Sequence, residues 1–351
     1  MNNQILFLII ILLFGGCKPN ENIERSIDEI FLEFNDTTPG ASVAVVKENN
    51  IIYQRGFGLA NLESKNKIDP KTNFRLASIT KQFTALSIML LENEDKLSFD
   101  DPIEKYFPEF PIYKSEITIK NILQHTSGIL AYEDYMSDTL TTQLKDKDVL
   151  DILMRQDSTY FPPGTEHRYS NSGYAILALI IEKVSDKSYA QFLRERVFIP
   201  LEMNNSVAFE NGISTINNRA FGYTKNDSGF VFADQSLTSA VLGDGGIYSS
   251  TIDLIKWDSS FDNATLLKRE KLNTAFEKTV LQNGEVADYG FGWRLDPYKD
   301  HIRHYHTGGT SGFSNIYMKL PEFDLTIIVL ININDFDAKG YAEKIADLFI
   351  E

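Results

Sequence analysis

The spacing of apolar residues changes twice in the first hundred residues, and each change predicts a new element. In residues 22–35, apolar side chains recur every three or four positions, which predicts an amphipathic helix. Residues 41–47 and 51–58 are rich in β-branched residues and are separated by a polar turn, a pattern typical of a β-hairpin. Residues 79–92 are apolar on several helical faces, so we expect a helix that is buried on most sides.

The middle of the chain, roughly residues 97–265, alternates helical segments with polar loops. The pattern predicts a short helix over 117–129 and an apolar helix that begins at about Gly173. A glycine-rich loop then precedes a third helix, for which Ser250 or Thr251 is the expected N-cap.

Strand patterns return near the carboxyl end. Short turns separate the segments, so neighbouring strands are expected to be antiparallel. A helical pattern over 338–350 closes the chain. The four predicted strands cover residues 289–296, 301–309, 312–321 and 325–334.

Strands at both ends and helices in the middle predict an α/β (α+β) fold. If the first hairpin joins the final strands, helices flank one antiparallel sheet and the middle forms a mainly helical inserted lobe. We expect one catalytic domain over 22–351, with an α/β lobe at about 22–77 and 266–351, a helical lobe at about 78–265, and a cleft between them.

Composition narrows the classes of partner. The 351 residues are 43% hydrophobic and 24% charged, which argues against bulk disorder. The formal net charge is −15 and no Lys/Arg cluster interrupts the acidity, so we expect no nucleic-acid partner, since such a partner needs a basic surface. The acidity serves solubility or, alternatively, electrostatic steering. The single cysteine, Cys17, leaves no internal disulfide.

The first 17 residues form an unusual start. Residues 5–14 are an uncharged apolar run, too short to span a bilayer but long enough for a signal-peptide core. With Gly15, Gly16 and Cys17 behind it, the segment resembles a bacterial lipoprotein signal. That resemblance implies a signal peptide over 1–16 and a lipidated Cys17.

The resemblance further implies a tether over 17–21 and an exported lipoprotein on the periplasmic or cell-surface side of a membrane. The segment departs from the pattern twice, because its start has no Lys or Arg and Phe14 stands three residues before the cysteine. The alternatives are an ordinary signal peptide or a short uncleaved anchor, in which Cys17 is incidental.

Ser78 and Lys81 lie three residues apart where the apolar helix begins, so both are expected on one helical face. A serine in a first helical turn can attack a carbonyl while backbone N–H groups hold the developing oxyanion. Lysine, whose reference pKa is about 10.4, needs burial or a neighbouring cation to serve as a base near pH 7. Alone, the pair is better explained as an N-cap and a surface lysine.

Two later motifs carry compatible chemistry. Tyr169-Ser170-Asn171 runs from a loop into an apolar helix, and it offers a phenol that can relay a proton and an amide that can bind a carbonyl. His306-Thr307-Gly308-Gly309 lies on a predicted strand that glycines would let a substrate backbone approach. By itself the first motif also suits an aromatic staple with an N-cap, and the second a hairpin end with a solvent-facing histidine.

In this order, the three motifs resemble the serine β-lactamase and penicillin-binding-protein superfamily. The resemblance is strongest to its branch of class C β-lactamases, DD-carboxypeptidases, D-aminopeptidases and related esterases, and it covers about residues 22–351. Further segments carry it: NILQHTSGI (121–129), the run from Pro162 that contains Tyr169, the GGIYSS loop, YGFGW and HTGGTSGF.

The resemblance implies a role for each matching position. Ser78 would be the acyl-accepting nucleophile and Lys81 its activator. Tyr169 would pass the proton to the leaving group and then activate the deacylating water. Asn171 would bind the substrate and orient Lys81, and the N–H groups of Ser78 and Gly309 would form the oxyanion hole.

His306 departs from the pattern of most β-lactamases, which have a lysine at this position to bind a substrate carboxylate. The resemblance places Thr307, the next residue, in the substrate-binding site as well. A histidine is expected to be only partly charged near pH 7, so efficient β-lactam hydrolysis is disfavoured.

The other histidines are expected to have structural roles. For His125 we expect capping or packing; His167, His301 and His304 are expected to be surface or strand residues. Asp244 is expected to form a turn. No metal ligand spacing is present and no cofactor is expected.

We therefore expect an exported serine hydrolase that forms an acyl-enzyme on Ser78. Its expected substrate is either a peptidoglycan peptide, cleaved by a D-Ala-type peptidase of the DD-carboxypeptidase kind, or a small-molecule ester or amide. The alternative within the enzyme class is a class C-like β-lactamase. The alternative from another class is a catalytically weak penicillin-binding or cell-wall sensing lipoprotein.

Overall fold

The computed structural model describes residues 21–111 and 113–350, so the predicted signal peptide and Cys17 lie outside the described residues. The helices are α1 Glu21–Ile30, α2 Thr80–Asn93, α3 Ile119–Leu123, α4 Asp146–Leu153, α5 Asn171–Ser185, α6 Tyr189–Leu193, α7 Leu242–Gly245, α8 Thr251–Asp262, α9 Arg269–Asn273 and α10 Ala338–Ala346. The first strands are β1 Ala41–Lys47, β2 Asn50–Phe57, β3 Leu59–Asn61, β4 Asn66–Lys67, β5 Phe74–Arg75, β6 Val207–Ala208 and β7 Tyr223–Asn226. The remaining strands are β8 Gly229–Phe232, β9 Ile247–Ser249, β10 Thr279–Val280, β11 Val286–Ala287, β12 His304–Thr310, β13 Phe313–Leu320 and β14 Leu325–Ile331.

The main sheet joins the two ends of the chain, as predicted. Its five strands lie in the order β12-β13-β14-β1-β2, and every neighbouring pair is antiparallel. β1 lies beside β14 with Ala41 opposite Ile331. This sheet with its flanking helices confirms the predicted α/β (α+β) class.

Alternate residues of the central strands face two different cores, because successive strand side chains point to opposite faces. In β14, Ile327 and Val329 pack with residues of α1 and α10 on one face of the sheet. Ile328 and Leu330 face the other way and join the larger core, which includes α2 and α5. The sheet therefore has a helical layer on each side.

Helix α2 is the central helix of the larger core. Residues 80–91 are all buried, which confirms the prediction of a helix buried on most sides. A single 3₁₀ turn at Ala77–Ile79 leads directly into it. The helix α5 begins at Asn171, where the Ser170 side chain accepts the N–H of Gly173, and Ser250 caps α8 through the N–H of Asp253.

Two local predictions were wrong. Residues 289–296 form no strand; only isolated pairings link Arg294 to Tyr289 and Tyr305. The chain turns at Gly292 (φ +79°), where an added Cβ would lie 2.7 Å from the carbonyl oxygen of Lys81. The helix predicted over 117–129 ends at Leu123 because the backbone enters the left-handed region at His125 (φ +57°).

Within residues 21–111 and 113–350, no helix is both long and apolar enough to cross a membrane. The boundaries given above for the two lobes stay predictions.

Candidate active site

Lys81 and Ser78 lie on the same face of the turn that leads into α2. The Lys81 side chain is completely buried. Its Nζ lies 3.2 Å from Oγ of Ser78, 2.8 Å from Oδ1 of Asn171 and 2.8 Å from the carbonyl oxygen of Asp244. Three oxygens from three separate parts of the chain thus fix the amine beside the predicted nucleophile.

These three contacts suit a proton acceptor. A neutral amine has two N–H donors and one lone pair, whereas an ammonium has three donors. The oxygens of Asn171 and Asp244 can only accept, so Lys81 donates one N–H to each, and the third position on its nitrogen faces the Ser78 hydroxyl. An amine in this position can take the Ser78 proton without rearrangement, because the resulting ammonium keeps all three contacts.

Asn171 is held in one orientation by a carboxylate that the sequence analysis missed. Its Nδ2 donates a hydrogen bond of 2.8 Å to Oε1 of Glu133, which lies in a 3₁₀ turn at Tyr132–Tyr135. Because a carboxylate accepts from the NH₂ group, the amide oxygen is left to face Lys81. Glu133 thus supports the geometry of the lysine without touching it.

Tyr169 lies next to both cationic side chains of the site. Nζ of Lys81 is 4.9 Å from its ring centroid, and the guanidinium carbon of Arg294 is 5.4 Å away. Its hydroxyl is buried, and no residue described in the structure pairs with it. The hydroxyl therefore has its hydrogen-bonding capacity available to a substrate, and its predicted role in proton transfer stays a prediction.

His125 packs behind Tyr169, as expected. The ring centroids of Tyr169 and Tyr289 lie 4.4 and 4.5 Å from that of His125. Nδ1 of His125 accepts the N–H of Ser170, so the ring proton is on Nε2, which is buried and unpaired within the described range. Burial, followed by the charge of Lys81, holds the pKa of His125 well below its ordinary value.

The glycines of β12 bring the strand against the serine turn. A Cβ added at Gly308 would lie 2.0 Å from the carbonyl oxygen of Leu76, so only glycine permits this approach. Gly309 next to it is exposed and has open space around its Cβ position. Thr307 is half-buried on the same strand. The oxyanion hole from the N–H groups of Ser78 and Gly309 stays a prediction.

His306 is buried and neutral, so the expectation that it is partly charged near pH 7 was wrong. Its Nδ1 lies 2.7 Å from the carbonyl oxygen of Thr307, which can only accept, and its Nε2 lies 3.1 Å from the Tyr289 hydroxyl. The proton is thus on Nδ1, and Tyr289 donates to Nε2. Burial, with a contribution from Lys81, lowers the pKa of His306 to about 3. Its predicted place in substrate binding stays a prediction.

Arg294 is the cation that the sequence analysis overlooked. It lies half-buried beside Tyr169, and its charge helps to lower the pKa of His306. Its Nε is buried with no partner, and no described carboxylate lies within ion-pair distance of its side chain. The single basic residue within the aromatic segment YGFGWRLD was the signal that could have revealed it.

Asp244 does more than form a turn, since its backbone carbonyl holds Lys81. Burial raises the pKa of its carboxyl to about 6, and the neighbouring Lys81 charge opposes that shift.

Across the described ranges, no group of His, Cys, Asp and Glu side chains has a geometry that could hold a metal ion.

Comparisons with known proteins agree with this geometry. The family model described as Beta-lactamase matches residues 27–349. Penicillin-binding protein 4* of Bacillus subtilis (strain 168) is 33% identical over 316 residues, which are 86% of this chain and 68% of that protein. Protein flp of Staphylococcus aureus (strain MW2) is 29% identical over 84% of this chain and 60% of its own length.

Among solved structures, the octameric penicillin-binding protein homologue from Pyrococcus abyssi is similar with a TM-score of 0.81 and 27% identity. The similarity covers 93% of this chain and 76% of that one. The chain thus spans only about 60 to 76% of these relatives' lengths. The matched family model covers almost all of the described residues, and the chain belongs to the beta-lactamase family of serine hydrolases.

Proposed function

We propose that the protein forms an acyl-enzyme on Ser78 and hydrolyses peptides that end in D-alanine, as a DD-carboxypeptidase does. The observation that carries this proposal is the buried Lys81 amine, which lies 3.2 Å from Oγ of Ser78 and is held by two carbonyl-type oxygens. Two relatives named as penicillin-binding proteins support a serine that reacts with β-lactams.

In this mechanism Oγ of Ser78 attacks the peptide carbonyl while its proton moves to Lys81. The backbone N–H groups of Ser78 and Gly309 stabilise the oxyanion. Tyr169, whose hydroxyl has no partner among the described residues, gives its proton to the departing amine of the last residue. Water then attacks the acyl-enzyme ester and gives one proton back to Tyr169, Lys81 returns the other proton to Oγ of Ser78, and the shortened peptide leaves.

Arg294 supports a substrate that carries a terminal carboxylate. Since His306 is neutral, the cation available beside Tyr169 on this side of the site is the guanidinium of Arg294. A guanidinium that pairs with no carboxylate among the described residues can form a charge-assisted pair with the substrate's carboxylate. A carboxylate-bearing peptide therefore fits better than a simple ester, although a small activated ester would still acylate Ser78.

The test compares wild type with Ser78→Ala on three probes: a tripeptide ending in D-Ala-D-Ala, nitrocefin and p-nitrophenyl acetate. We expect release of D-alanine by wild type, mass added at Ser78 during turnover, and neither in the folded Ser78→Ala variant. Unchanged turnover in that variant would falsify the mechanism. Fast nitrocefin turnover without peptide cleavage would indicate a β-lactamase, and slow acylation without turnover a sensor.

We also propose that the chain is exported and anchored to a membrane by a lipidated Cys17. Support comes from the apolar run over residues 5–14 followed by Gly-Gly-Cys, all of which lie outside the described residues. Lipidation is tested by detergent-phase partitioning of the full chain expressed in a bacterium. Wild type should enter the detergent phase and Cys17→Ala should not; equal partitioning of both would contradict the anchor.

A further inference from the structure

Asp146 is a buried carboxylate whose partners are all backbone groups. It is the first residue of α4 and is only 8% exposed. One carboxylate oxygen accepts the N–H of Leu242 and the other accepts the N–H of Gly243, each at 2.9 Å. No lysine or arginine of the described chain forms an ion pair with it. Both oxygens are thus committed to the first two residues of α7.

Helix α7 carries the carbonyl group that holds Lys81. Asp244 follows Gly243 directly, and its carbonyl oxygen accepts from Nζ of Lys81 at 2.8 Å. The Gly243 carbonyl accepts from the Thr84 hydroxyl of α2 at 2.6 Å. An added Cβ at Gly243 would lie 2.4 Å from the Tyr174 carbonyl oxygen of α5. This short segment is therefore tightly enclosed by α2 and α5, and Asp146 binds the N–H groups of its first two residues.

We propose that Asp146 is a positioning residue, which fixes Leu242 and Gly243 so that the Asp244 carbonyl keeps the Lys81 amine against Ser78. The inference rests on the proposed function of Ser78. Capping of α4 does not explain Asp146, because Asp148 already accepts the N–H of Lys145 at 2.8 Å in that helix. The side chain of Asp146 reaches across to α7 instead.

The arrangement depends on ionisation. Burial raises the pKa of Asp146 to about 7, although the two N–H groups that it accepts act in the opposite direction. A protonated carboxyl keeps one good acceptor oxygen and adds a proton that needs a partner, so one of the two N–H bonds weakens. The carboxyl lines a surface cleft of about 920 Å³, through which its proton can exchange with solvent. The titratable groups around it are Glu182 of α5, Tyr189 of α6, Asp244 of α7, Tyr132, and the flanking Lys145 and Lys147.

The test measures single-turnover acylation of Ser78 by a penicillin, followed by intact-mass spectrometry from pH 6 to 9. Asp146→Asn keeps the shape but replaces one acceptor by a donor, so acylation at pH 8 should slow by about 10- to 100-fold. Wild type should lose acylation rate as the pH falls through about 7, and this limb should be absent in Asp146→Asn. Asp148→Asn is the matched control, because it removes the neighbouring carboxylate and should acylate at the wild-type rate.

Amide hydrogen exchange gives a readout that does not depend on activity. Residues 242–244 should exchange faster in Asp146→Asn than in wild type and should be unchanged in Asp148→Asn. Asp146→Glu retains the charge and both acceptors, so it should recover part of the acylation rate and keep the acid limb. If Asp146→Asn does not fold, Asp146→Ser replaces it in the comparison, because serine likewise cannot titrate.

The outcomes separate the two proposals. If wild type is not acylated at Ser78, the proposed function fails and the positioning role falls with it. If wild type is acylated and Asp146→Asn acylates equally fast, only the positioning role is overturned. Slow acylation with unchanged exchange at 242–244 also overturns it, because the effect would then not pass through α7.

Discussion

The two sides of the site differ in how fully their polar atoms are paired. The lysine side consists of Ser78, Lys81, Asn171, Glu133 and Asp244, and its amine and amide groups all have protein partners. The arginine side consists of His125, Tyr169, Arg294 and His306. There Nε2 of His125, the Tyr169 hydroxyl and Nε of Arg294 are buried without a partner in the part of the chain that the structure describes.

This difference indicates that the two sides have different functions, proton transfer on the lysine side and substrate recognition on the arginine side. A buried polar group without a partner costs about 1–3 kcal/mol, so three together are expensive unless a ligand completes their bonding. The paired lysine side is preorganised for proton transfer before any substrate arrives. The unpaired arginine side is suited to recognise the substrate. Chemistry and selectivity should therefore respond to different substitutions.

The largest expected effect comes from the arginine side. Arg294→Gln removes the cation proposed to pair with the substrate carboxylate, so kcat/KM for a D-Ala-D-Ala tripeptide should fall by about 100-fold. Hydrolysis of p-nitrophenyl acetate, which has no carboxylate, should change by less than about threefold. Arg168→Gln is the matched control, since this arginine is exposed and stacks on Tyr160. An equal fall in kcat/KM on the peptide and on the ester would contradict the proposal that Arg294 recognises the substrate carboxylate.

A smaller effect is expected from the lysine side. Glu133→Ala leaves the Asn171 NH₂ group without its acceptor, so the amide can turn away from Lys81 and kcat should fall by about 10-fold on both substrates. KM should change little, because Glu133 orients the base and does not bind the carboxylate. Glu133→Gln keeps an acceptor oxygen and serves as the control, with kcat close to wild type. A loss of activity confined to the carboxylate-bearing peptide would contradict this, because it would mean that Glu133 acts in substrate recognition and not in orienting Lys81.

Most strands of the main sheet could be predicted from the sequence, because their apolar residues follow the spacing that is typical of strands. The hairpin at 41–58 and the strands near 312–331 alternate or run apolar over lengths typical of strands, and their pairing followed from short connections. Residues 289–296 share the aromatic composition of a strand. Their actual path is set by the close approach of Gly292 to the Lys81 carbonyl, a long-range contact that local composition does not encode.

The sequence motifs predict the residues that lie around the Lys81 amine, but not their surroundings. Ser78, Lys81 and Asn171 do come together. The ionisation of His306 depends instead on burial by Tyr289 and on the nearby positive charge of Lys81, which come from distant segments. The same holds for the Glu133 contact with Asn171 and for the proposed role of Asp146, because each carboxylate meets its partner only when distant segments pack together.

The smallest expected effect concerns His306, which is the paired member of the arginine side. Its folded-state pKa of about 3 lies below the ordinary 6.5, so the unfolded chain binds the proton more readily. The stability from the neutral ring is thus fully present above pH 6.5 and is lost as the pH falls toward 3; between pH 6.5 and 5.5 this amounts to about 1 kcal/mol. His306→Gln retains a donor for the Thr307 carbonyl and an acceptor for Tyr289, but it does not titrate.

Urea unfolding of wild type and His306→Gln at pH 7.5, 6.5 and 5.5 measures this effect. The stability of the variant should decline less steeply with acid, by about 1 kcal/mol between pH 6.5 and 5.5. His301→Gln, at a half-exposed histidine beside Glu322, controls for the loss of one histidine. Parallel pH dependence in wild type and His306→Gln would mean that the folded pKa of His306 equals the unfolded value of about 6.5, so the ring would be charged below that pH. His306 would then be a second cation on the arginine side, and Arg294 would no longer be the sole candidate to bind the substrate carboxylate there.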